Sequence, residues 1–112
     1  MTDDEKDDIR KEFGEAVNMA PAALEKWLET EHSKEVGWPK DRDDDTESVG
    51  HHSGRRIVEI KRKKVADLTD DDFAHMRKVV GYVHRHLKQR PSGDITDTKW
   101  RYSLMNWGHD PK

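Results

Sequence analysis

Apolar residues recur along the first third of the chain at the three- and four-residue spacings that are typical of amphipathic helices. One such stripe predicts a helix over residues 4–17, and it consists of Ile9, Phe13, Ala16 and Val17. A second helix should begin at Pro21, because proline suits the first helical position, and should end near residues 32–33. Its inward face is predicted to be Leu24, Trp27 and Leu28.

The same periodicity predicts two longer helices in the middle of the chain. A third helix should run from about Ser53 to about Val65 and bury Ile57, Ile60 and either Val58 or Val65. Thr69 is a suitable N-cap for a fourth helix, whose first turn carries three aspartates that the helix dipole favours. The fourth helix has the clearest apolar stripe, formed by Phe73, Met76, Val80, Val83 and Leu87.

A short fifth helix should follow a cap at Thr96 or Asp97 and end at Gly108. Its aligned apolar residues are Trp100, Leu104 and Trp107. The sequence therefore predicts an all-α fold, a small bundle of about five helices in which helices three and four form a basic helical hairpin.

One stretch, GWPKDRDDDTESVGHHSG at residues 37–54, has no period and contains three glycines, a proline and three consecutive aspartates. Such a composition is typical of a long loop or linker. We expect a single helical domain over residues 1–112, with an acidic helical pair at 1–36 and a basic three-helix unit at 55–112.

The formal charge of −3 hides a strong asymmetry between the two halves of the chain. Residues 1–50 hold 16 acidic and 7 basic residues, a charge of −9, whereas residues 51–112 hold 8 acidic and 14 basic residues, a charge of +6. This asymmetry suggests a polyanionic partner for the basic half. Alternatively, the acidic half lies against the basic half within the same molecule.

The cations concentrate in two places, the run RRIVEIKRKK at residues 55–64 and the outer face of the fourth helix. The helix dipole explains cations at Lys61 to Lys64, in a last helical turn, but not Arg55 and Arg56 near its start. Phosphate contacts need charge and reach without a particular base edge. The candidate nucleic-acid-binding residues are Arg55, Arg56, Arg62, Lys63, Arg77, Lys78, Arg85, Lys88 and Arg90.

Other chemistry has little support in the sequence. The seven histidines lack the spacing of a metal site, and no nucleophile elbow or phosphate-binding loop is present. We therefore expect no enzymatic activity, no cofactor and no metal. Below about pH 6.5, histidines could add positive charge to a polyanion contact. Trp38, beside Pro39, is the tryptophan best suited to contact a partner, whereas the other three suit the core.

The chain contains no cysteine and no apolar run long enough for a bilayer, and its N-terminus is acidic. These features exclude disulfides and favour a cytoplasmic protein without membrane attachment.

Four segments resemble a family of small microbial proteins classed as domain of unknown function 3140. They are NMAPAALEKWLETEHSKEVG, ESVGHHSGRRIVEI, DLTDDDFAHMRKVVGYVHRHLKQRP and DTKWRYSLMNWGHDP. Members of this family are commonly labelled DNA-binding proteins, so the resemblance implies that label without a mechanism or established functional residues. Lys61 departs from the aliphatic residue that is usual in related chains, which makes it a doubtful member of any shared site.

The sequence leaves two functional hypotheses. The first is a non-enzymatic DNA-binding protein that contacts the phosphate backbone of double-stranded DNA, or of another nucleic acid, with little sequence specificity. The three aspartates at residues 70–72 disfavour base reading by the N-terminal turn of the fourth helix. The second is a protein–protein interaction or homo-oligomerisation module, such as a homodimer, with a charge-asymmetric surface.

Overall fold

The computed structural model describes residues 2–36 and 49–112. Within these ranges the chain forms six α-helices and one 3₁₀ turn, and no strand. The helices are α1 Asp3–Ala16, α2 Pro21–Leu28, α3 Glu31–Glu35, α4 Val49–Arg62, α5 Asp70–Leu87 and α6 Lys99–Asn106, with the 3₁₀ turn Val65–Asp67 between α4 and α5. The predicted all-α bundle is confirmed. No described helix is long and apolar enough to cross a bilayer.

The predicted second helix is two helices, because the chain turns at Glu29 and Thr30. The hydroxyl of Thr30 accepts a hydrogen bond from the backbone N–H of Ser33 at 3.2 Å and so caps α3. Threonine can make this bond only with a non-helical backbone, which favours a new helix start over continuation of α2.

The predicted third helix begins four residues earlier than expected, at Val49 instead of Ser53. Residues 49–54 were predicted as part of the loop but are helical, and the rest of that prediction, residues 37–48, lies outside the described residues. Packing explains the glycine at position 54 of this helix. A Cβ at Gly54 would lie 2.6 Å from the carbonyl oxygen of Asn106 and 2.7 Å from Leu28 Cδ2, so only glycine permits this approach of α4 to α2 and α6.

The core forms where the N-terminal helices pack on the C-terminal ones: α1 lies along α5, and α2 lies along α4. Helices α4 and α5 are consecutive, but each has its main partner in the first half of the chain. Four members of the predicted α5 stripe, Phe73, Met76, Val80 and Val83, are buried, and Leu87 is half-buried. Thr69 and Asp72 form a reciprocal capping box at the start of α5, as the predicted N-cap requires.

The residues after α6 fasten the end of the chain to the turn between α1 and α2. Gly108 has φ of +80° and its carbonyl accepts a hydrogen bond from the Met19 N–H at 3.1 Å. The Asp110 N–H donates to Asn18 Oδ1 at 2.8 Å, while both Asp110 carboxylate oxygens accept from the Arg101 guanidinium at 3.1 Å. These contacts hold α6 against the bundle and beside α5.

Candidate nucleic-acid interface

The outer surface of α5 carries a basic face. Its four exposed cations are Arg77, Lys78, Arg85 and Lys88. At about 100° per residue they occupy a sector of roughly 100° around the helix, and they extend over about 16 Å of its length. None of the four is in an ion pair with another residue of the described ranges. We call these four residues the α5 basic face.

Arg90 lies beyond the C-terminus of α5, where its guanidinium is 5.6 Å from the ring centre of Trp100. This distance is within the range of a cation–π contact, which leaves the charge in place while restricting the side chain. Arg90 therefore extends the basic face at its C-terminal end.

One buried carboxylate engages two of the predicted site residues, Arg56 of α4 and Lys63 directly after it. Asp72 has a side chain only 5% exposed and accepts from Lys63 Nζ at 2.7 Å and from Arg56 Nη2 at 3.4 Å. Burial alone would raise the pKa of Asp72, but the Lys63 hydrogen bond and charge and the Thr69 backbone N–H outweigh it and lower the pKa to about 2. Arg56 and Lys63 thus serve to fix α4 to the start of α5.

The other two predicted residues of α4 lie at the groove between α2 and α4. Arg62 Nη2 donates to Glu25 Oε1 of α2 at 2.6 Å, and both side chains are half exposed. Arg55 is exposed beside this groove, which also contains Glu29 and Glu59. Carboxylates of the chain itself therefore pair with Arg56, Arg62 and Lys63 and lie beside Arg55, whereas no ion pair to the α5 basic face occurs within the described residues.

The two flanks of the α5 basic face differ in charge. On one side, Arg77 borders a groove shared with Glu5, Asp8 and Glu12 of α1. On the other side, Lys78 and Arg85 border a cavity lined by residues of α6 and by Gly50, with no carboxylate among its described lining residues. A polyanion on this face would therefore be repelled by α1 and would favour the α6 side.

Five rings from α5 and the C-terminal segment form a ladder that joins these elements. Along it, the centroid distances are 6.4 Å for His75–Trp107, 4.2 Å for Trp107–Tyr82, 5.2 Å for Tyr82–His86 and 6.0 Å for His86–Trp100, with interplanar angles of 11–15°. The indole N–H of Trp100 also donates to the His86 carbonyl at 2.7 Å. The ladder makes the inner side of α5 rigid and leaves its outer face to solvent.

The histidines have mainly structural contacts. His51 and His109 contact the carbonyl oxygens of Leu28 and Ala16, each at 2.7 Å. Burial, with the nearby charges of Arg56 and Lys78, lowers the pKa of His75 to about 4, so this ring adds no charge to a polyanion contact between pH 5.5 and 8. No group of three or more potential metal ligands occurs in the part of the chain that the structure describes.

Three features of the site region escaped the sequence analysis because they depend on contacts between distant segments. Lys61 Nζ donates to the carbonyl oxygen of Val17, at the C-terminal end of α1, at 3.1 Å, and burial lowers its pKa. Asn106 is 1% exposed and accepts from the Trp27 indole at 2.7 Å and the Ser33 hydroxyl at 2.6 Å. The third feature is the pairing of Asp72 with Arg56 and Lys63, since the sequence had assigned Asp72 only to stabilisation of the helix dipole.

Trp38, which was predicted to contact a partner, lies outside the described residues.

Comparison with known proteins places the chain in a family without assigning it an activity. Neither a curated protein nor a solved structure matches it. Residues 12–105, which include the end of α1, all of α2 to α5 and most of α6, match the family described as a protein of unknown function, DUF3140. The match covers well over half of the chain and includes every cation of the α5 basic face, and the chain therefore belongs to the DUF3140 family.

Proposed function

We propose that this protein binds DNA, without catalysing a reaction, through phosphate contacts made by the α5 basic face. The observation that carries the proposal is the contrast between two sets of cations. Arg56, Arg62 and Lys63 are paired with Asp72 and Glu25, whereas the four α5 cations have no such partner within the described ranges. An exposed row of cations on one side of a helix is suited to a line of phosphates.

Little base specificity is expected from this geometry. Reading a groove with the start of a helix requires contacts from its first turn, but the first turn of α5 exposes Asp70 and Asp71. These carboxylates repel phosphate, so contact should begin about two helical turns further along, near Arg77. Gly81 lies within the basic face and the Arg85 guanidinium folds over it, as Arg85 Nη1 lies 3.2 Å from the position of a Cβ there.

A salt titration with duplex DNA tests the proposal quantitatively. Each phosphate contact contributes about −0.9 to the slope of log K against log salt, so four or five cations predict a slope of roughly −4. A slope near −8 would require the paired α4 cations as well and would contradict the restriction to α5. Undetectable binding at about 50 mM salt would overturn the proposal as a whole.

Charge reversal locates the contact. Arg77→Glu combined with Arg85→Glu should abolish binding while circular dichroism remains helical, because neither side chain forms an ion pair within the described residues. Arg62→Glu is the matched control, since it makes the same charge change on α4 at a residue already paired with Glu25. If Arg62→Glu weakens binding as much as Arg85→Glu alone, net charge and not the α5 basic face controls affinity.

The alternative function, self-association, has one observation in its favour. The acidic groove residues Glu5, Asp8 and Glu12 lie directly beside Arg77. Adjacent acidic and basic stripes can pair with the same stripes of a second copy about a two-fold axis. Light scattering at low and high salt, with and without duplex, separates the two functions. A dimer that dissociates at high salt and does not bind duplex would favour self-association.

A further inference from the structure

A cavity of about 240 Å³ opens beside the α5 basic face, where α5 meets the end of α6 and the start of α4. Lys78 and Arg85 line it from α5, and Ser103, Asn106 and Trp107 line it from the α6 side. Val36 and Gly50, which stand on either side of the undescribed residues 37–48, also line it, as does Tyr82 of α5. The cavity is thus continuous with two of the four cations of the proposed DNA contact.

The polar groups of this cavity are mainly donors. Gly50 lies close to two of these donors, since a Cβ there would be 3.3 Å from Trp107 Nε1 and 3.6 Å from Asn106 Nδ2. The Asn106 amide uses one N–H on the Ser33 carbonyl at 2.9 Å, which leaves its second N–H for another acceptor. The Trp107 N–H has no acceptor within the described ranges.

The shape and charge of the cavity limit the class of ligand. Two cations and several N–H and O–H donors, without a described carboxylate, match an anion with several acceptor oxygens. Tyr82 lies in the same lining, and its ring provides an apolar surface for a sugar or base. The volume is below the range of about 300 to 1,000 Å³ that is usual for drug-sized ligands, so no more than one nucleotide fits.

We propose that this cavity binds the terminal phosphomonoester of a nucleic-acid strand together with part of its nucleotide. If an internal phosphodiester occupied the cavity, the strand would have to leave it in two directions. With a terminal phosphate the strand leaves in only one direction, and the phosphate offers an additional charge to Lys78 and Arg85. The inference rests on the proposed DNA contact for the identity of the ligand. It predicts that the protein prefers phosphorylated strand ends.

The first experiment compares two single-stranded oligonucleotides of one sequence, with a 5′-phosphate or a 5′-hydroxyl. The phosphorylated strand should bind about tenfold more tightly, as expected for charge-assisted hydrogen bonds to a phosphomonoester that adds about two negative charges. Lys78→Gln should remove this preference. Lys88→Gln is the matched control, because Lys88 is an exposed lysine of the same helix that does not line the cavity, and it should weaken both strands without changing their ratio.

A second experiment observes the cavity without DNA, by NMR of the Trp107 indole N–H during titration with thymidine 5′-monophosphate, thymidine or inorganic phosphate. The monophosphate should shift this resonance, thymidine should not, and inorganic phosphate should shift it only at much higher concentration. Gly50→Ala should block the shift, whereas Gly14→Ala, where an added Cβ meets nothing within 4 Å, should not.

The outcomes separate the two proposals. Equal binding of both strands, with no Trp107 shift, overturns the cavity assignment and leaves the α5 contact intact. A Trp107 shift with the monophosphate, but no binding of either strand, supports the cavity and overturns the DNA contact. A shift that inorganic phosphate produces equally well identifies a free-phosphate site and overturns the assignment to strand ends.

Discussion

The carbonyl oxygen of Asn106 lies 2.6 Å from the position that a Cβ on Gly54 would occupy. Gly54 is inside α4, and Asn106 is the last residue of α6, so this contact sets how closely the two helices approach. The neighbouring carbonyl belongs to backbone and cannot move as a flexible side chain could. The close approach also brings Gly50 to the cavity beside the α5 basic face.

Gly54→Ala should therefore destabilise the protein by about 2 kcal/mol or more, although alanine favours a helix by about 1 kcal/mol over glycine. Gly14→Ala is the control, since an added Cβ there meets nothing within 4 Å and should increase stability by up to about 1 kcal/mol. Urea unfolding followed by circular dichroism measures both. A stabilised Gly54→Ala variant would show that α4 and α6 do not pack this closely.

Asp72→Asn should reduce the free energy of unfolding by about 2 kcal/mol. The substitution removes the charge that holds Lys63 and Arg56 and weakens the start of α5, and buried ion pairs are costly to break from one side. Asp71→Asn changes the same charge on an exposed neighbour and should cost less than about 0.5 kcal/mol. Equal effects of the two substitutions would mean that only the helix dipole is involved.

Stability should fall as the solution is acidified from pH 6.5 to about pH 4, because His75 binds a proton more weakly in the folded state. Burial lowers its pKa to about 4, so the unfolded chain takes up the proton first. For a half-buried ring the loss should be on the order of 1 kcal/mol by pH 5. His75→Gln should reduce the slope of unfolding free energy against pH in this range, and an unchanged slope would contradict the burial of the His75 ring.

The lowered pKa of Asp72, about 2, predicts a separate loss at lower pH. Its carboxylate stabilises the folded state above the ordinary pKa of 3.8, and this contribution disappears as the pH falls from 3.8 to about 2. Acid unfolding of wild type and Asp72→Asn should therefore converge near pH 2. Curves that remain apart at this pH would contradict the assigned ion pairs.

Asn106→Ala should cost about 3 kcal/mol, because it leaves the Trp27 indole N–H, the Ser33 hydroxyl and the Ser33 carbonyl without their partner in a buried site. Asn18→Ala also removes two hydrogen bonds, both to the Asp110 backbone, but at an exposed position, and should cost about 1 kcal/mol. Thermal unfolding measures the difference. A similar loss for both variants would argue against a buried network.

The candidate site could be located only in part from the sequence. The helical spacing of Arg77, Lys78, Arg85 and Lys88, opposite a continuous apolar stripe, is sufficient to place them on one exposed face. Whether the cations of α4 have acidic partners could not be deduced. Arg62 pairs with a residue 37 positions away, and no local pattern predicts that contact.

By itself, the sequence determined the helical class, the ends of α1 to within a residue, and the start of α5 with its Thr69 cap. These features depend on residues within a few positions of one another, whose periodicity and side-chain hydrogen bonds act locally. Only the tertiary structure decided that GHHSG is helical, that Asp72 engages Arg56 and Lys63, and that a cavity adjoins the α5 basic face. Each of these results depends on close approach between helices distant in sequence, where steric fit and charge pairing outweigh local preference.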